Sequence, residues 1–212
     1  MRIGVTGSIC AGKSSFCKLL ADTYQDTILI DADKVGHECY LPNTDCYNLL
    51  VETFGDIVDI SNNNTIDRKK LGSIVFSDKD KMAQLQSIVW PEIRKKLTEK
   101  MEKIEKEYGS DKKVIIEAAI MIEANWYDLF DVVVVLTAND DIAIDRLMKR
   151  NNFTKEQAAE RLNSQLTVTQ RKEKIKDINH IIIENNQNID HLQNHNMAFN
   201  DFITKYFHSQ GR

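Results

Sequence analysis

Short, nearly continuous apolar runs alternate along this chain with segments in which apolar residues recur every three or four positions. The runs at residues 2–6, 27–30, 114–116, 132–136 and 181–183 predict five strands. Runs of this kind, without polar alternation, suit parallel strands covered on both faces. Between the first two, Phe16, Leu19, Leu20 and Tyr24 fall at helical spacing and complete a βαβ unit. Tyr47, Leu50, Val51 and Phe54 mark a second apolar helix face that Gly55 is placed to end. From residue 67 to 108 the period is helical throughout. Asp67 is the predicted cap of DRKKLGSIVF, and Pro91 is predicted to open a new helix, whose buried stripe is Ile93, Leu97, Met101 and Ile104. That length exceeds a simple crossover and predicts an inserted helical layer over the sheet. Further on, NDDIAIDRLMKR predicts a helix carrying Arg146 and Arg150 one turn apart, and Thr154 and Gln157 stand at capping-box spacing. Phe199, Phe202, Ile203 and Tyr206 mark a closing amphipathic helix. Alternating β and α elements of this order predict a doubly wound α/β domain with a parallel five-stranded sheet flanked by helices.

Length and charge narrow the classes. A chain of 212 residues, 42% apolar, can bury one sizeable core, so one domain with an insertion is expected. The formal charge of -4 and the absence of a basic tail weigh against nucleic acid or a membrane surface as a partner. No apolar run spans a bilayer and no signal-peptide pattern opens the chain, so a soluble, cytoplasmic protein is expected. Cys10, Cys17, Cys39 and Cys46 fit neither a metal site nor a disulfide framework and read as reduced thiols. His191 and His195 stand four residues apart like metal ligands, but no third ligand accompanies them, so no zinc site is predicted.

Residues 7–14, GSICAGKS, match the pattern GxxxxGK[ST] between a predicted strand and a predicted helix, the context that a phosphate-binding loop needs. Phosphate oxygens require several backbone N–H groups converging on one point, and a helix N-terminus behind them favours the anion. Cys10, Ala11, Gly12, Lys13, Ser14 and Ser15 are therefore expected to hold the phosphates of a nucleotide, but such a loop does not by itself choose between a GTPase, an ATPase and a small-molecule kinase. Lys13 would reach the β- and γ-phosphates, and the Ser14 hydroxyl would ligate Mg²⁺. The chain has no Asn-Lys-x-Asp segment for reading guanine, which weakens a GTPase reading. A kinase needs a carboxylate for the acceptor hydroxyl and cations for the transferring group. In ILIDAD, Asp31 and Asp33 close the second strand, where their i, i+2 spacing would direct both to one side, with a helix cap as the structural alternative. Arg146 and Arg150 are the candidate cations, against the plainer reading of a solvated helix face.

Taken together, the loop GVTGSICAGKSS, LIDADKVGHECYLP, the FGD at 54–56, TIDRKKLGSIVF, WPEIRKKL, VIIEAAIMIE, RLMKR and a later Gln165 followed by IIIEN resemble the dephospho-CoA kinase family. The resemblance implies a P-loop nucleotide-binding core, a helical acceptor-binding insertion at about 61–112 and a lid at about 146–178. It implies ATP and Mg²⁺ as cofactors and phosphorylation of the ribose 3′-hydroxyl of dephospho-CoA, the last step of coenzyme A synthesis. Asp33 is then the candidate base and acceptor contact, Arg150 and Arg146 the lid arginines, and Arg68 an acceptor-binding residue. Asp31 would order Mg²⁺ through water. A monomer or weak homo-oligomer is expected. The chain departs from the family in Ser8, Cys10 and Ala11 of the loop, in Trp90 where a His usually precedes Pro91, and between Glu117 and Glu123, which lack a proline. The other readings are a different P-loop nucleoside or nucleotide kinase and a non-enzymatic nucleotide-binding module.

Overall fold

The computed structural model describes residues 1–24, 26–109, 112–187 and 199–201. In chain order the elements are β1 (Arg2–Gly7), α1 (Lys13–Thr23), β2 (Thr27–Asp31), α2 (Ala32–Cys39), α3 (Asp45–Phe54), β3 (Val58–Asp59) and β4 (Thr65–Ile66). They continue with α4 (Arg68–Val75), α5 (Lys79–Tyr108), β5 (Lys113–Glu117), β6 (Val132–Thr137), α6 (Asp140–Asn151), α7 (Lys155–Asn163), α8 (Val168–Ile175) and β7 (His180–Glu184). The chain forms two compact units, one of residues 1–30 with 107–212 and the other of residues 31–106.

The first unit is built on a five-stranded parallel sheet in the order β2-β5-β1-β6-β7, as the apolar runs predict. Its middle strands are buried over most of their length because helices cover both faces. β6 is buried at all six positions, and β1 pairs with β5 from Arg2↔Val114 and with β6 from Ile3↔Val132. Phe16, Cys17 and Leu20 of α1 pack with Ile3, Val5, Val134 and Ile183 into one core. Phe199 closes that core edge-to-face on Phe16, with centroids 5.9 Å apart. Residues 199–201 are helical, as the closing amphipathic pattern predicts, whereas Phe202, Ile203 and Tyr206 lie outside the described residues, as do His191 and His195.

The second unit is helical apart from the hairpin of β3 and β4, which pairs Val58 with Ile66. That hairpin has no strand signature of its own in the sequence, because two-residue strands are too short to alternate. Asp67 caps α4 by accepting from the backbone N–H groups of Lys69 and Lys70, as its sequence position predicts. Pro91 is a correction. It lies inside the 30-residue α5 instead of opening a new helix. Val89, Ile93, Leu97 and Met101 form one buried stripe running through it. Proline removes the bond to the carbonyl four residues back. That carbonyl belongs to Ser87, an exposed residue on the solvated face of α5. Among the described residues no helix is long and apolar enough to cross a membrane.

Candidate functional site

The loop after β1 turns on residues whose backbone few side chains tolerate. Gly7 has φ 137°, and a Cβ there would stand 1.9 Å from the Leu136 carbonyl oxygen of the neighbouring strand. The Ser8 N–H donates to that same oxygen at 3.0 Å, and the Ala11 N–H donates to the Ser8 carbonyl at 3.2 Å. Cys10 has φ 57° and Gly12 φ 93°, so two left-handed residues curl the chain into α1. For cysteine that conformation costs about 1–2 kcal/mol, which surrounding contacts must offset.

Those contacts come from the same unit. Arg146 Nη1 donates to the Cys10 carbonyl at 3.2 Å, Asn185 Nδ2 to the Ala11 carbonyl at 2.9 Å, and the Ile9 N–H to Gln165 Oε1 at 2.9 Å. The outer edge of the loop is thus held by α6, by the end of β7 and by the α7–α8 connection. α1 starts after Gly12 with no side-chain cap hydrogen bond, and a helix N-terminus of this kind favours an anion. Lys13 Nζ donates to the Gly7 and Ser8 carbonyls, at 3.2 and 2.9 Å. The Ser14 hydroxyl donates to Glu117 Oε1 at 2.7 Å, which brings a hydroxyl and a carboxylate together at the carboxyl end of β5. Ser15, the last of the predicted phosphate-loop residues, is half-buried in the first turn of α1.

The two arginines of α6 are engaged differently. Besides Cys10, Arg146 donates to the carbonyls of Asn185 and Gln187, at 3.0 and 2.5 Å, so its guanidinium serves backbone groups. Arg150 is exposed and donates Nε to Asn151 Oδ1. An ion pair buried on its arginine side fastens the helix after Gln165: Arg171, fully buried on α8, lies 3.0 Å from Oε1 of the half-buried Glu123 and donates Nε to the Leu166 carbonyl. Burial pulls the Arg171 guanidinium below its usual pKa, and the charge of Glu123 opposes this.

In the helical unit, Asp31 caps α2, its Oδ1 accepting from the N–H groups of Asp33 and Lys34 at 2.9 and 3.3 Å. The expected same-side placement of Asp31 and Asp33 assumes that the strand continues. It stops at Asp31, and Asp33 lies on the exposed first turn of α2, so the two-residue alternation does not apply. Asp31 Oδ2 stands 3.9 Å from Lys34 Nζ. Arg68 opens α4, with Nη2 2.7 Å from His37 Nε2 and its guanidinium 6.0 Å from the Tyr40 ring centroid. Arginine only donates, so His37 Nε2 is the acceptor. Burial pushes the Tyr40 phenol above its usual pKa, with Arg68 opposing.

Glu117, Gln165, Asn185 and His37 were absent from the sequence-based candidates as working residues. Glu117 had a usable signal, as a polar residue closing an apolar strand run, the pattern that singles out Asp31, whereas Asn185 stands one residue beyond such a run. Gln165 and His37 act through contacts distant in sequence and have no such signal.

The dephospho-CoA kinase family model matches residues 1–191. A dephospho-CoA kinase of Oceanobacillus iheyensis is 36% identical over 189 residues, covering 89% of this chain and 90% of the relative. The solved structure of TT1252 from Thermus thermophilus superposes with a TM-score of 0.73 at 24% identity, over 94% of this chain and 95% of that one. That of a dephospho-CoA kinase from Campylobacter jejuni does so with a TM-score of 0.65 at 28% identity, over 96% and 97%.

Proposed function

Because the chain belongs to the dephospho-CoA kinase family, we propose that it transfers the γ-phosphoryl group of ATP to the ribose 3′-hydroxyl of dephospho-CoA, giving coenzyme A. The observation that carries this reading is the complete phosphate loop, pinned along its outer edge and ending in the Ser14–Glu117 contact.

Phosphoryl transfer asks little covalent chemistry of a protein and much positioning and charge stabilisation. The N–H groups at the start of α1 would hold the phosphates of ATP. Lys13, now on two loop carbonyls, would exchange them for β- and γ-phosphate oxygens. The Ser14 hydroxyl and the Glu117 carboxylate offer hard oxygen ligands of the kind Mg²⁺ takes, with Asp31 acting through water. Bound there, Mg²⁺ would neutralise charge on the β- and γ-phosphates. Asp33 would accept a hydrogen bond from the 3′-hydroxyl, hold its oxygen for in-line attack and take the proton as the new bond forms. Arg150, exposed on α6 within the proposed lid, would meet charge spreading over the transferred group. Arg68, steadied by His37, would contact the acceptor from the proposed helical insertion. A cytoplasmic monomer or weak homo-oligomer, working on small molecules without nucleic acid, fits the acidic charge balance.

An acceptor scan tests the reading. ADP release from ATP should rise at least about 100-fold on adding dephospho-CoA and stay at the basal rate with nucleosides, nucleoside monophosphates or shikimate. Equal stimulation by a nucleoside monophosphate would make the protein a nucleotide kinase instead.

A further inference from the structure

Asn185 stands directly after β7 and is almost wholly buried, at 4% exposure. Its backbone is fixed on both sides: the N–H donates to the Thr137 carbonyl at 2.7 Å, and the carbonyl accepts from Arg146. Its side chain is thereby aimed at the phosphate loop, where Nδ2 donates to the Ala11 carbonyl at 2.9 Å. The amide orientation is set by chemistry, since a carbonyl only accepts and Oδ1 in that place would repel it.

A trans peptide is planar, with its C=O and N–H pointing to opposite sides. Holding the Ala11 oxygen therefore also fixes the direction of the Gly12 N–H, on the far edge of the same plane and at the entrance to α1. The neighbouring peptide is held by Arg146 through the Cys10 carbonyl, but its N–H, that of Ala11, turns back to Ser8. Of the two pinned peptides, the one held by Asn185 is the one left to serve a ligand.

We infer that Asn185 is a positioning residue for the nucleotide phosphates, acting through the Ala11–Gly12 peptide and touching no phosphate itself. The inference rests on the proposed nucleotide-binding role of the loop. A carboxylate at this position cannot donate, and an alanine cannot reach, so either substitution frees the peptide to rotate. Asn185 Oδ1 has no hydrogen-bond partner among the described residues, so Nδ2 is the only side-chain atom with protein work there.

The experiment is calorimetric titration of ADP and ATP with Mg²⁺ into the wild-type protein, Asn185→Asp and Asn185→Ala, at a temperature where each unfolds cooperatively only well above it. The KM for dephospho-CoA is measured alongside. Loss of one oriented donor should raise the Kd for both nucleotides about tenfold in either variant, with the KM for dephospho-CoA within about twofold of wild type. Should Asn185→Asp fail to fold, Asn185→Ala decides by the same criterion. A folded variant binding ADP within about twofold of wild type overturns the inference, whatever its melting temperature. Failure of the wild type to bind ADP would instead remove the nucleotide reading on which it rests.

Discussion

Asp31 and Asp33 are two residues apart, yet the chain uses their carboxylates differently. Asp31 caps α2, and asparagine caps nearly as well, so Asp31→Asn removes charge while leaving the helix start intact. Asp33 contributes only its N–H to that cap and sits on an exposed turn. If Asp33 positions the 3′-hydroxyl and takes its proton, Asp33→Asn should lower kcat by about 10²- to 10⁴-fold with ATP affinity nearly unchanged. Steady-state kinetics with an ATP titration checks this: a variant within a few-fold of wild type would place the base elsewhere. Cys10 supplies a second residue-scale expectation. It is half-buried in the phosphate loop, whereas Cys17, Cys39 and Cys46 are buried. Iodoacetamide should therefore modify Cys10 first in the native protein and abolish turnover, and bound ATP should slow the modification. Peptide mapping by mass spectrometry reads the site, and labelling of another cysteine at an equal rate would contradict the assignment.

At the scale of elements, α8 is tied down by the Arg171–Glu123 pair, in which Arg171 Nη1 and Glu123 Oε2 have no hydrogen-bond partner among the described residues. Removing one member of a buried pair leaves a charge without compensation, whereas removing both does not. Arg171→Leu alone should destabilise the protein by about 3 kcal/mol, and the double variant with Glu123→Leu should recover most of that in urea unfolding. A single variant as stable as wild type would show that the pair does not hold α8. The middle strands were legible from sequence because burial on both faces demands unbroken apolar runs, and 132–136 is one. The caps at Asp67 and Thr154 were legible because capping chemistry is local, and Thr167 with Gln170 forms a second capping box of the same kind. Pro91 misled because its local preference lost to a buried stripe that runs past it from Val89 to Met101, a tertiary effect.

For the whole molecule, the loop motif carried most of the legible site, since glycine spacing and a lysine are a local pattern with a single physical use. The residues that hold the loop in shape were hidden: Gln165 and Asn185 reach Ile9 and Ala11 across 156 and 174 positions, a pairing that only the fold creates. Cys10 shows the same dependence. It adopts a left-handed conformation that favours glycine, at the position where the family usually has one, and Arg146 holds its carbonyl. A chain that keeps this loop and the family match over residues 1–191 is accounted for by one reaction, 3′-phosphorylation of dephospho-CoA. The most direct measurement is the ³¹P NMR spectrum of the product formed from ATP and dephospho-CoA by the purified protein. The account expects one new phosphate monoester resonance, coupled to the ribose H3′ and growing in step with ADP. ADP formed without that resonance, or a phosphate attached at another oxygen, would contradict it.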